Sequence, residues 1–90
     1  MSSTWRIEFA TRAGRQLRKL GERDRISVLR FLDERVAGAE DPRRLGEALK
    51  GWASNLWRYR VGDFRVIVRI EGERIVVLVL EVGHRREVYR

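Results

Sequence analysis

Apolar and polar residues alternate with period two through most of the second half of the chain. From Leu56 to Val61, Trp57, Tyr59 and Val61 fall on one side and Arg58 and Arg60 on the other. From Phe64 to Ile70, Phe64, Val66, Val68 and Ile70 oppose Arg65, Ile67 and Arg69. Such alternation of β-branched and aromatic residues predicts strands. Gly62-Asp63 between the two runs predicts a two-residue hairpin loop with glycine first, as a type II′ turn requires. That loop sets Val61 opposite Phe64 and Arg60 opposite Arg65, with Arg58 on the same face. Like charges directly opposite each other destabilise a sheet. The stacked arginines therefore point either to an anion bound between them or to a polar face splayed into water.

The remaining elements follow from the same patterning. Trp5, Ile7 and Phe9 alternate with Arg6 and Glu8, predicting a first strand over about Trp5–Phe9. Ala13, Leu17 and Leu20 give an apolar stripe to a helix with Thr11 as its N-cap and Gly21 as its left-handed stop. Ile26, Leu29, Leu32 and Val36, with Val28 beside them, predict a second helix from about Glu22 to Gly38. Pro42 forces Asp41 out of helical geometry, and one or two helical turns are expected over Arg43–Leu49. A run of Ile75 to Leu80, apolar on both faces, predicts a central strand over Arg74–Val82, with the first strand beside it. The expected fold is α+β in a single domain over residues 1–90. An N-terminal strand and a two-helix hairpin precede a three-stranded antiparallel meander, giving a four-stranded sheet with helices on one face.

The third strand of the meander carries an ambiguity that matters for chemistry. A two-residue turn at Gly72-Glu73 places His84 on the Arg60/Arg65 face. One extra loop residue places Glu81 and Arg85 there instead, because a one-residue slip exchanges the two faces. The strand is apolar on both faces, so its pattern does not choose.

Charge narrows the candidate partners. The 90 residues carry a formal net charge of +7 and a sequence pI of about 11.2. Only Lys19 and Lys50 are lysines among the 20 lysine and arginine residues. Arginine grips phosphate bidentately where lysine is a point charge. By direct count residues 1–57 carry about +4 and residues 58–90 about +3, so a basic patch must be made by folding. Nucleic acid, an acidic protein or an anionic membrane surface would suit such a charge. The helices mix acids (Glu22, Asp24, Asp33, Glu34) with bases, which argues for ordinary solvated faces and against a membrane-lying helix. No membrane partner is therefore expected.

Several chemistries are excluded. The chain has no cysteine, hence no disulfide, thiolate or zinc–cysteine site. One histidine and no carboxylate cluster make a metal site unexpected, and neither a phosphate-cradling glycine motif nor a nucleophile elbow is present. No apolar run approaches the ~18 residues of a membrane span, and Met1-Ser2-Ser3 opens no signal peptide, so a cytoplasmic location is expected. The residues left are Arg58, Arg60, Arg65, Arg85 and Arg86, with His84, Glu81 and Tyr89 near them. Metal-free RNA cleavage needs little more, since the 2′-hydroxyl of the substrate is the nucleophile. The protein must orient it, take its proton, stabilise charge on phosphorus and protonate the leaving 5′-oxygen. Arginines suit the charge stabilisation, worth about 3 kcal/mol per key donor, but cannot act as base.

In the stretch LKGWASNLWRYRVGDFRVIVRIEGERIVVLVLEVGHRREVYR, especially RVGDFRVI and VGHRREVY, the chain resembles the RelE/ParE superfamily of type II toxin–antitoxin toxins. Within it the resemblance is to the RelE-like mRNA interferases, and the preceding helix hairpin fits the same order of elements. The resemblance implies a toxin without cofactor that cuts mRNA in the ribosomal A site and is neutralised by a cognate antitoxin. It implies that Arg65 grips the scissile phosphate and that Arg85 serves the leaving group or transition-state charge. It implies that Tyr89 stacks on or orients the nucleotide, and that Arg58 and Arg60 stand where the best-known members have lysine. Lys50 and Arg86 are further candidates for substrate binding. Arginine cannot replace a lysine acting as base, so the candidates for that role are His84, then Glu81, then Tyr89. His84 has the most suitable unperturbed pKa. A ParE-like gyrase poison that only binds is the alternative on the same fold, and a plain RNA- or DNA-binding module is the third.

Overall fold

The computed structural model describes residues 4–49 and 55–84. Strand β1 (Arg6–Phe9) leads into helix α1 (Thr11–Lys19) and helix α2 (Glu22–Arg30), whose last turns, Phe31–Val36, widen to π-helical geometry. The Ala37 amide closes the widened turn on the Leu32 carbonyl at 2.9 Å. A single 3₁₀ turn (Pro42–Leu45) precedes β2 (Glu47–Ala48), and β3 (Leu56–Val61), β4 (Phe64–Glu71) and β5 (Val76–His84) complete the described residues.

Among the described residues the sheet has five strands, in the order β1-β5-β4-β3-β2. β1 lies beside β5, as the doubly apolar last strand implies, and runs parallel to it, and β3, β4 and β5 form the antiparallel meander. The helices pack on one face. Ala13 and Leu17 of α1 and Val28, Leu32 and Val36 of α2 meet Tyr59, Val66, Val68, Ile70, Val77, Val79 and Val82 in one buried cluster. None of the described helices is long and apolar enough to cross a membrane.

Five local expectations are corrected. The segment after Pro42 is not helical to Leu49, because Gly46 ends the turn in extended geometry and Glu47–Ala48 pair with Trp57–Arg58 as a fifth strand. Gly21 is not a left-handed stop; its φ of −61° makes it the N-cap of α2. Thr11 is the first helical residue, and Ala10 holds the N-cap position without a side-chain bond. Ile26 and Leu29, counted in the apolar stripe, are exposed, and Val28 instead points into the core. The last strand also starts later, at Val76. Ile75 adopts φ +56°, a strained value for a β-branched residue. Its carbonyl accepts the Arg6 amide at 3.0 Å and so starts the parallel ladder.

Candidate functional site

The site grows from the β3–β4 hairpin. Gly62, at φ +60°, supplies the left-handed first turn position, and the loop spans Gly62-Asp63 as its composition predicts. Val61 then faces Phe64, Arg60 faces Arg65 and Arg58 faces Ile67. One sheet face, opposite the buried cluster, therefore carries Arg58, Arg60, Arg65 and Arg69.

β5 completes that face through a register shift. Its connection from β4 has four residues, with Glu71 paired to Val76, which alone would leave His84 on the arginine side. Between Ile67 and Val68 the register slips by one: Val68 faces Val79, Ile67 faces Glu81, and Leu80 is the extra residue of a β-bulge. Parity therefore flips inside the strand and not at its turn. Glu81 and Gly83 join the arginine face, opposite Ile67 and Arg65. His84 falls opposite Phe64, its ring edge-on at 5.9 Å, on the side of the buried cluster. The first candidate base thus lies across the sheet from the arginines, and the second lies among them.

Two cross-strand rows result. One reads Glu47, Arg58, Ile67, Glu81 and the next Arg60, Arg65, Gly83. Glu47 and Glu81 are three strand spacings apart, ~14 Å, so they flank the arginines and do not form a carboxylate pair. Past the end of β1 the outer edge of β5 meets α1. Gln16 accepts the Val82 amide at 2.6 Å, and Arg12 approaches the Glu81 carboxylate at 3.5 Å.

Glu47 was not among the sequence candidates. Its carboxylate accepts a charge-assisted hydrogen bond from the Arg58 guanidinium and lies 3.7 Å from that of Arg60. The Arg58 hydrogen bond, then the charge of Arg60, hold its pKa below the ordinary carboxylate value. The Arg58 side chain is only 12% exposed against 62% for Arg60, so Arg58 is fixed in place while Arg60 reaches into solvent. The signal that would have found Glu47 is punctuation: Gly46 and Gly51 bracket a segment too short for a helix. Lys50, Arg85, Arg86 and Tyr89 lie outside the described residues.

Comparison with known proteins identifies the family and the fold. The family model described as the ParE toxin of the type II toxin–antitoxin system parDE matches residues 7–89. Toxin RelG of Mycobacterium tuberculosis is 32% identical over 84 residues, covering 93% of this chain and 94% of its own. The toxin–antitoxin complex RelBE2 of M. tuberculosis holds a chain with a TM-score of 0.83 at 29% identity, covering 94% of this chain and 95% of that one. A mutant of the E. coli toxin RelE in the free state superposes with a TM-score of 0.77 at 26% identity, over 94% of this chain and 87% of its own.

Proposed function

We propose that this chain, which belongs to the ParE toxin family of type II toxin–antitoxin systems, is a ribosome-dependent endoribonuclease that cleaves mRNA in the A site. The observation that carries this reading is the set of three arginines, Arg58, Arg60 and Arg65, gathered on one sheet face by the hairpin register. Likeness to toxin RelG and to RelE structures supports the same reading.

The chemistry follows from what guanidinium groups do. Arg65, with Arg60 opposite it, binds the non-bridging oxygens of the scissile phosphate and offsets the charge that builds there as the 2′-oxygen attacks. The new 2′-O–P bond forms as the P–O5′ bond breaks, leaving a cyclic phosphate and a 5′-hydroxyl. Of the two base candidates among the described residues, Glu81 is on the arginine face and His84 is not, and Glu81 takes the 2′-hydroxyl proton. Arg85 stabilises the charge on the departing 5′-oxygen and Tyr89 orients the nucleotide, the roles the family resemblance gives them, and the 5′-oxygen takes its proton from solvent. A cognate antitoxin is the expected protein partner, since the matched RelBE chains were solved as toxin–antitoxin complexes.

Induction of the gene alone should stop growth, and primer extension on ribosome-bound mRNA should show new 5′ ends. Arg65→Ala should lower the cleavage rate by about 10²–10³-fold, the usual effect of losing one donor to a developing oxyanion. A second reading, a ParE-like gyrase poison, is favoured by the name of the matched family model. Intact mRNA with gyrase-linked DNA breaks would establish that reading and reject the first.

A further inference from the structure

The edge strand β2 places a carboxylate where the arginine face would receive a phosphate. Glu47 bonds the guanidinium of Arg58 and lies 3.7 Å from that of Arg60, and its ionised form is stabilised by Arg58, Arg60 and Arg65. Its backbone is pinned by the ladder to Arg58 and by Gly46, which is pressed against the Arg58 carbonyl and the Tyr59 ring. The side chain itself is 58% exposed, so it has room to swing away. From this we infer that Glu47 is a built-in competitor for RNA phosphate: it occupies the Arg58–Arg60 seat in the empty protein and leaves when a phosphodiester binds. The inference rests on the proposal that this face receives RNA phosphates.

Linkage gives the consequence a distinctive signature. When a phosphate displaces Glu47, the released carboxylate gathers a cation from solution. One fewer counterion is then set free than the arginines alone would release. Removing the carboxylate charge restores that counterion. Glu47→Gln keeps the shape and the hydrogen-bond acceptor but not the charge. It should bind a single-stranded oligonucleotide more tightly at low salt. Its plot of log K against log[salt] should be steeper by about 0.7, the increment for one phosphate on a single strand.

The experiment is fluorescence anisotropy with a labelled 2′-deoxy oligonucleotide, which cannot be cleaved, across a salt series. It compares the wild type with Glu47→Gln, Glu47→Ala and Arg65→Ala. About three- to tenfold tighter binding by both Glu47 variants, with the steeper slope, is the expected result. A carboxylate that only holds Arg58 in place would give weaker binding and an unchanged slope. That result, or no change at all, overturns the inference. If Arg65→Ala binds as well as the wild type, or the wild type does not bind, the phosphate-binding face falls and the inference with it. Loss in Arg65→Ala beside unaltered Glu47 variants removes the competitor role alone.

Discussion

Tyr59 shows how one residue couples the core to the site. It lies in β3 between Arg58 and Arg60 but on the other face, with no exposed surface. Its hydroxyl donates to the Pro42 carbonyl at 2.9 Å and its ring meets that of Phe31 at 5.5 Å. Burial, with the nearby Asp41 charge a lesser cause, raises its pKa far above the ordinary value of 10.0. The folded protein therefore keeps this proton where the unfolded chain loses it, so stability falls as pH rises above about 10. At neutral pH, Tyr59→Phe should cost about 1 kcal/mol through the unsatisfied Pro42 carbonyl, lowering Tm by about 4–8 °C. The Tm gap between wild type and variant should shrink between pH 7 and about pH 10.5, because only the wild type carries the buried phenol. A gap independent of pH would reject this account. Alternation alone told which face Tyr59 occupies. Its partner was not legible, because Pro42 reaches it through a turn whose course depends on the folded sheet.

At the scale of elements, the chain was legible where a pattern had one solution. The β3–β4 hairpin is of this kind: its loop residues and its alternation agree, and the Arg60–Arg65 pairing follows. β2 is the opposite case. Two residues carry no period, and the strand exists because of a close approach. A methyl group on Gly46 would stand 2.5 Å from the Arg58 carbonyl oxygen and 2.7 Å from the Tyr59 ring. Gly46→Ala should therefore push β2 off the sheet edge, at about 1–3 kcal/mol for overpacking. Thermal melts should show the loss. Hydrogen exchange at the Leu49 amide, bonded to the Leu56 carbonyl at 3.0 Å, should quicken more than exchange in β4. Unchanged protection at Leu49 would contradict a detached strand. Helix α2 was legible as an element and, at Leu32 and Val36, in its facing, but Val28 takes the core position in its first turns and leaves Ile26 and Leu29 outside.

For the molecule as a whole, the question is whether the arginines act as a site or as part of a diffuse charge of +7. Arg65 and Arg69 sit on the same face of β4 and contribute equally to net charge, but Arg69 pairs with Leu56 and Leu78, one row beyond Ile67. If the activity lives in the Arg58–Arg60–Arg65 cluster, Arg69→Ala should keep mRNA cleavage within about twofold, against the loss of about 10²–10³-fold expected for Arg65→Ala. Equal losses in the primer-extension assay would mean that bulk attraction, and not a seat for phosphate, governs the reaction. Net charge and hairpin were readable from the chain. The neutralising carboxylate was not, since Glu47 and Arg58 meet only once an unpatterned edge strand has formed.

The bulge at Leu80 has a consequence for descent. It is an insertion of a single residue that decides which side chains of β5 greet the arginines and which turn to the helices. Were the bulge closed with the strand kept at the same length, the residues beyond Leu80 would turn over, bringing an imidazole in place of an acid to the arginine face and leaving the rest of the sheet standing. A lineage with this fold thus has a route to trade one proton carrier for another without first inventing a new side chain at the site.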